Sequence, residues 1–231
     1  MPNAARAALG AGLCLLLLAS ALAATGELGF SRSVTPGLIA RYAGQFGSGV
    51  RGRLEAWKGL VRGNANRAEA ERNGSAEVEL LGRVNRFFNG LPPGLDIKLW
   101  GVDDYWATPA EFQSIGAGDC EDYVIGKYFT LKELGVPISR LRLVYATTTW
   151  SPSGHLVLAY YPSPRAEPLI LDNLIGGIEP ASRRPDLTPV FTFNDDDLVT
   201  PGKDAMGTQL SGPSVRQWQV LTEKLERELA Y

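Results

Sequence analysis

The sequence predicts an α+β fold in which helices pack on an antiparallel sheet. Residues 36–134 carry apolar residues at helical spacing, whereas residues 141–193 hold short apolar runs separated by turn-forming residues. A chain of 231 residues suffices for one domain with a full core. Its net charge of −2, without a sustained basic run, argues against nucleic acid as a partner.

The N-terminus predicts a secretory signal peptide over residues 1–23. Arg6 supplies a positive charge before a short apolar stretch, and Ala21-Leu22-Ala23 fits a small-residue cleavage site. An uncleaved anchor is the alternative, but the stretch is shorter than the roughly 20 residues that cross a bilayer. We therefore expect residues 24–231 to form a single extracytoplasmic domain, with no stable membrane insertion after cleavage.

The N-terminal part of this domain is expected to be mainly helical. Apolar spacing predicts helices over residues 36–46, 53–61, 76–91 and 213–229. Residues 62–75 are polar and indicate a loop or a frayed helix extension, and residues 96–118 indicate a loop rich in aromatic and turn-forming residues. A central helix is expected from residue 120 to 134, with Asp119 as its N-cap.

Antiparallel strands with hairpin-like connections are expected to follow the central helix. Apolar runs place them at residues 141–148, 155–161 and 168–171, with a fourth at 189–193. The acidic run Asn194-Asp195-Asp196-Asp197 lacks the spacing of an EF-hand loop and predicts a solvated turn.

Cysteine and histidine are each represented once after the signal segment, by Cys120 and His155. Cys120 opens the central helix, where backbone N–H dipoles favour a thiolate, and His155 opens an apolar strand. Asp172 ends the next strand and can accept a hydrogen bond from the imidazole. This order predicts a Cys–His–Asp triad of a cysteine hydrolase or acyl transferase.

Three acids surround the predicted nucleophile. Asp119, Glu121 and Asp122 would raise the pKa of the thiol and so oppose the chemistry. They can serve as N-cap and first-turn acids, which a helix start favours. Alternatively, they ligate a hard cation, for which calcium is the natural extracytoplasmic candidate. The residues alone leave both interpretations open.

Four sequence blocks, in this order, resemble the bacterial transglutaminase-like cysteine peptidases. They are Tyr105–Glu111, Gly118–Tyr123 with Lys127-Tyr128, His155–Tyr161 and Pro168–Leu174. The resemblance implies a papain/transglutaminase-like core with Cys120 as nucleophile, His155 as base and Asp172 as orienting acid. It also implies bound Ca²⁺, with Asp119 and Glu121 as the foremost ligand candidates and Asp122 as a third.

The same resemblance implies a biological role. It predicts a calcium-dependent periplasmic cysteine endopeptidase that cleaves the N-terminal region of a large, repeat-containing surface adhesin. Cleavage would release the adhesin and promote biofilm dispersal, while an inner-membrane cyclic-di-GMP receptor would sequester the protease.

Two alternatives to this role remain open. A transglutaminase- or amidase-type acyl transferase would use the same triad, because both routes share the acyl-enzyme. A non-catalytic binding domain would retain the fold, although the intact Cys120, His155 and Asp172 set argues against it.

Overall fold

The computed structural model describes residues 34–70, 74–150, 154–200, 208–211 and 215–229. The predicted signal peptide over residues 1–23 lies outside these residues, and the single domain over residues 24–231 stays a prediction. Within the described ranges, no helix has both the length and the apolar composition that crossing a bilayer requires.

Seven α-helices occur in the described part of the chain. They are α1 (Pro36–Phe46), α2 (Gly49–Ala70), α3 (Gly74–Asn89), α4 (Asp96–Leu99), α5 (Pro109–Ile115), α6 (Cys120–Glu133) and α7 (Arg216–Leu229). Of the two interpretations of residues 62–75, the helix extension is observed as far as Ala70. The buried Asn64 explains it, because its amide donates to the Leu60 carbonyl and its oxygen accepts from Arg83 Nε on α3.

The loop expected over residues 96–118 is wrong, because it contains α4 and α5. Thr108 caps α5: its hydroxyl accepts from the Glu111 N–H at 3.0 Å, and Glu111 accepts from the Thr108 N–H at 2.9 Å. This reciprocal capping box, with Pro109 in the first turn, was a readable sequence signal for a helix start.

Within the described residues, seven strands form one antiparallel sheet, which confirms the α+β prediction. They are β1 (Leu141–Thr148), β2 (His155–Tyr160), β3 (Leu169–Leu171), β4 (Glu179–Pro180), β5 (Leu187–Phe193), β6 (Asp197–Thr200) and β7 (Thr208–Ser211). Their order is β4-β3-β2-β1-β5-β6-β7. The strand expected at residues 189–193 is β5. It pairs with β1 and not with β3. The chain first forms the edge strand β4 beside β3 and then returns across the sheet between Pro180 and Leu187.

The helix α6 lies at the centre of the molecule. Every residue from 122 to 131 is buried, so the helix is covered on all sides by the sheet and by other helices. Gly126 lies against the ring of Phe88 on α3, where a β-carbon would overlap the ring. On α2, the Trp57 indole donates to Thr130 Oγ1 at 2.9 Å. These contacts fix the position of the residue at the first turn of α6.

The acidic run after β5 forms the turn that the sequence predicts. Asn194 Oδ1 accepts the backbone N–H groups of Asp196 and Asp197 at 2.9 and 3.1 Å. Asp195 pairs with Lys132, and Asp197 pairs with Arg142 at 2.5 Å. Asp195 and Asp197 are therefore engaged with nearby cations, and the turn is exposed to solvent only at Asp196.

The first and last described helices meet at a buried carboxylate near the end of α7. Tyr42 of α1 donates its hydroxyl to Glu228 Oε1 at 2.5 Å, and Thr108 donates to the same oxygen at 2.6 Å. Burial raises the pKa of Glu228 to about 7, although these two hydrogen bonds act in the opposite direction. Glu228 thereby joins α1, α7 and the N-cap of α5.

Candidate active site

Cys120 is the first residue of α6 and is partly exposed. The Leu156 backbone N–H is hydrogen-bonded to its sulfur, so the start of α6 lies against the start of β2. The thiol in turn donates to Glu121 Oε2 at 2.7 Å. Burial and the Glu121 carboxylate raise the pKa of the Cys120 thiol, whereas the N–H groups of Leu156 and of the first helical turn favour the thiolate.

His155 and Asp172 form a buried hydrogen-bonded pair. His155 begins β2, and Asp172 follows the last residue of the neighbouring strand β3. Their atoms Nε2 and Oδ1 are 2.9 Å apart. Because the Asp172 carboxyl is ionised at neutral pH, Nε2 is the donor and Nδ1 is left free to exchange a proton with a thiol.

The Asp172 carboxylate is held from several directions. The Leu174 N–H donates to Oδ1 at 3.1 Å, and Arg184 Nη2 donates to Oδ2 at 2.8 Å. Burial raises the pKa of Asp172, but the bonds from His155, Leu174 and Arg184 outweigh it and lower the pKa to about 2. Sequence reasoning missed Arg184, because it lies in an irregular segment where no periodic pattern distinguishes it from the exposed Arg183.

A second group of acids lies beside Cys120. Asp96, Asp119 and Asp122 each offer a carboxylate oxygen, and these oxygens lie within 4.8 Å of one another. Each residue keeps a buried oxygen without a hydrogen-bond partner, namely Asp96 Oδ1, Asp119 Oδ1 and Asp122 Oδ2. Gly118 makes this possible, because a β-carbon there would collide with Asp122 Oδ2.

The loop after α4 orients this acidic cluster of Asp96, Asp119 and Asp122. The Tyr105 N–H donates to Asp96 Oδ2 at 2.6 Å, and the Ala107 N–H donates to Asp122 Oδ1 at 2.9 Å. One oxygen of Asp96 and one of Asp122 are thus fixed by the backbone, while the other oxygen of each lies in the cluster without a hydrogen-bond partner.

The predicted metal ligands divide between two positions. Asp119 and Asp122 belong to the acidic cluster, whereas Glu121 lies between the Cys120 thiol and Asp119 and contributes no oxygen to the cluster. Asp119 also occupies the N-cap position of α6 as predicted, but its side chain makes no capping hydrogen bond. Asp96 was missed, because it is distant in sequence and lies in a segment expected to be a loop.

The charges of the cluster fit a hard cation. Burial, together with the neighbouring carboxylates, raises the pKa of Asp119 to about 9 and that of Asp122 well above its ordinary value. Burial raises the pKa of Asp96 as well. Carboxylates that converge in this way ionise together only when a positive charge offsets them. Oxygen donors of this kind are the ligands that Ca²⁺ prefers.

Residues 61–185 match the family model described as bacterial transglutaminase-like cysteine proteinase. The chain belongs to this family. It is 37% identical to EGTA-treated LapG of Legionella pneumophila over 81% of this chain and 95% of that one, with a TM-score of 0.67. Calcium-bound LapG of the same organism is 38% identical over 81% and 97% of the two chains, with a TM-score of 0.65. No curated protein sequence matches the chain.

Membership confirms the resemblance noted from the four sequence blocks, together with a transglutaminase-like core and a cysteine peptidase activity class. The matched region contains Cys120, His155 and Asp172, and it contains every member of the acidic cluster. The segment between β3 and β5 is also covered as far as residue 185.

Proposed function

We propose that the protein is a calcium-dependent cysteine endopeptidase in which Cys120 is the nucleophile, His155 the base and Asp172 the orienting acid. One observation carries this proposal: the buried His155 Nε2–Asp172 Oδ1 hydrogen bond of 2.9 Å lies at the start of β2, where Leu156 contacts the Cys120 sulfur. Membership of a cysteine proteinase family supports it.

The geometry supports acyl transfer through a thioester. His155 Nδ1 accepts the thiol proton, and the thiolate attacks the carbonyl carbon of the scissile peptide. The Cys120 backbone N–H, at the start of α6, donates to the developing oxyanion. His155 then donates its proton to the leaving amine while Asp172 stabilises the imidazolium. Water, deprotonated by the same imidazole, hydrolyses the thioester and restores the thiol.

Calcium binding is proposed for the acidic cluster. The sequence-based ligand set was Asp119, Glu121 and Asp122; we add Asp96, because its unpartnered oxygen converges with those of Asp119 and Asp122. A bound Ca²⁺ would offset negative charge beside the nucleophile and hold the loop that precedes α6. The similarity to calcium-bound LapG supports calcium binding by this protein.

The proposed substrate is the N-terminal region of a large surface adhesin, whose cleavage releases it and promotes biofilm dispersal. We further propose that the enzyme acts in the periplasm after removal of residues 1–23 and that an inner-membrane cyclic-di-GMP receptor inhibits it. These proposals rest on the family resemblance and on the similarity to LapG.

The decisive experiment incubates the protein, with calcium, with an N-terminal adhesin fragment and with a primary amine donor. We expect new fragments in mass spectrometry with the wild type and none with Cys120→Ala, whose circular dichroism should match the wild type. Incorporation of the amine without a hydrolysed product would favour the acyl transferase. Binding without any reaction would favour the non-catalytic domain, and cleavage by Cys120→Ala would refute the nucleophile assignment.

A further inference from the structure

The residues around the proposed triad form a closed ring of contacts that extends beyond it. We propose that Arg184 is a positioning residue for Asp172 and that the Arg184–Asp186 pair couples this acid to Trp150, which lies against His155. The inference rests on the proposed catalytic roles of His155 and Asp172.

Arg184 sets the direction of the Asp172 carboxylate. Oδ1 of Asp172 faces His155 and Leu174, and Oδ2 faces Arg184 Nη2 at 2.8 Å. With both oxygens engaged, the carboxylate cannot rotate without breaking a bond. The side chains of Arg184 and Asp172 are 3% and 0% exposed, so solvent does not compete for this contact.

Asp186 holds the other side of the guanidinium. Arg184 Nε donates to Asp186 Oδ1 at 3.0 Å, and Nη2 donates to Oδ2 at 2.8 Å. This two-point contact fixes the plane of the guanidinium and therefore the direction of the Nη2 bond to Asp172.

The pair also reaches the segment that contacts the imidazole. The Trp150 side chain is hydrogen-bonded to the Asp186 carboxylate, and the Thr149 N–H donates to the Asp186 carbonyl at 3.1 Å. The Trp150 ring meets the His155 ring edge-on, with centroids 5.7 Å apart. His155 is thus positioned twice, at Nε2 by Asp172 and at its ring by Trp150, and Arg184–Asp186 supports both contacts.

Lys127 is a second buried basic residue near Asp172. Comparing it with Arg184 separates the effect of positive charge from the effect of orienting the carboxylate. Lys127 is fully buried and acts on Asp172 electrostatically, but its Nζ makes no hydrogen bond. Below pH 7 Lys127 is protonated and supplies positive charge without orienting the carboxylate, whereas Arg184 supplies both. If catalysis requires the orientation of Asp172, replacing Arg184 must lower kcat far more than replacing Lys127.

The kinetic test is run at pH 6, where Lys127 is charged, and compares Arg184→Met with Lys127→Met and with Arg183→Met, whose side chain is 74% exposed. For Arg184→Met we expect kcat to fall by about 10- to 100-fold with little change in KM, as when the outer partner of a functional histidine is removed. Arg184→Lys should recover part of this loss. Arg183→Met should match the wild type, and Lys127→Met should lie much closer to the wild type than to Arg184→Met.

A double-mutant cycle shows whether Arg184 acts through Asp172. In the Asp172→Asn background, Arg184→Met should reduce kcat by far less than it does alone, because the contact it supports is already lost. The same fold-reduction in both backgrounds would overturn the inference.

An NMR readout is independent of turnover. His155 is the only histidine, so ¹⁵N shifts of one imidazole report the tautomer directly. In Cys120→Ala at alkaline pH we expect the proton on Nε2, and adding Arg184→Met should shift population toward the Nδ1–H form. An unchanged tautomer and an unchanged kcat in folded Arg184→Met would overturn the inference. If Arg184→Met does not fold, Asp186→Asn takes its place, with a smaller decrease in kcat expected and the same two measurements deciding.

This design separates two kinds of failure. If the wild type cleaves no substrate, the proposed function fails while the tautomer measurement still tests the positioning role. If the wild type cleaves and neither kcat nor the tautomer responds to Arg184, only the positioning role fails.

Discussion

Asp172 and Asp122 are both fully buried aspartates close to Cys120, yet their pKa values move in opposite directions. Asp172 accepts hydrogen bonds from His155, Leu174 and the Arg184 guanidinium, and its pKa falls to about 2. Asp122 accepts hydrogen bonds from the backbone N–H groups of Ala107 and Asp119 but has no cation bonded to it, and its Oδ2, which has no hydrogen-bond partner, faces other carboxylates. Both carboxyls are buried, so the opposite directions of their pKa shifts come from their hydrogen-bond partners and neighbouring charges. A buried carboxylate oxygen without a hydrogen-bond partner also indicates that the site would bind a hard cation.

The largest expected effect concerns Asp172, whose carboxylate oxygens both have hydrogen-bond partners. Asp172→Asn should lower kcat by about 10³- to 10⁴-fold, because an amide neither stabilises the imidazolium nor fixes the correct tautomer. Calcium binding should be unaffected, since Asp172 lies outside the acidic cluster. Steady-state kinetics against Asp196→Asn, an exposed acid, provide the matched control. A loss of less than about tenfold would show that Asp172 is not the orienting acid.

The next largest effect concerns the acidic cluster, whose members each keep a carboxylate oxygen without a hydrogen-bond partner. Calcium at 100 times its Kd should raise the melting temperature by about 5–10 °C, because it binds the native state preferentially. Asp96→Asn should lose most of this shift in calorimetry, whereas the exposed Asp103→Asn should retain it. Chelation should stop turnover reversibly, and Ca²⁺ should restore it better than Mg²⁺. Full activity in excess chelator, without a thermal shift, would return Asp119 and its neighbours to a purely structural role.

Lys127 is the cationic counterpart of these acids, because its Nζ is buried without a hydrogen-bond partner. Burial lowers its pKa to about 7, although Asp172 acts in the opposite direction. Below pH 7 the group is charged in both states, so the folded state bears the full cost of burying the charge. At higher pH the folded state releases its proton before the unfolded state does, and wild-type stability rises.

Lys127→Met should therefore be more stable than the wild type at pH 6, by on the order of 2–4 kcal/mol, with a gap that narrows toward pH 9. Urea unfolding at both pH values measures it, and the exposed Lys98→Met is the control. A variant that is less stable than the wild type at pH 6 would mean that an interaction of Lys127 stabilises the folded state by more than the burial of its charge destabilises it.

Glu228 is an intermediate case, because it has two hydroxyl donors but no cation bonded to it. Its pKa is raised to about 7, mainly by burial. Below its ordinary pKa it is protonated in both states; as pH rises to 7, the unfolded state loses its proton first and wild-type stability falls. Glu228→Gln keeps an acceptor and removes this loss. It should match the wild type at pH 4 and exceed it by about 1–2 kcal/mol at pH 8, unlike the exposed Glu226→Gln.

Local patterns predicted the elements well, and tertiary contacts account for what was missed. The bounds of α1 and β1 follow from apolar spacing and punctuation within a few residues, and the structure has them as predicted. Cys120, His155 and Asp172 were readable because each opens or ends an element. Asp96 and Arg184 carry no such signal, since their partners lie far along the chain. Even next to Cys120, the sequence could not show that Glu121 faces the thiol while Asp122 faces the acidic cluster.

The hydrogen bonds of Glu228 have a consequence for the order of folding. They connect residues 186 and 120 positions apart in sequence, and contacts of such separation close late because of the chain entropy they cost. Thr108, one of these partners, caps the helix that leads into the loop before Cys120. We therefore expect the loop that precedes Cys120 to be fully anchored only after α7 has docked, so that the position of Cys120 is set late in folding.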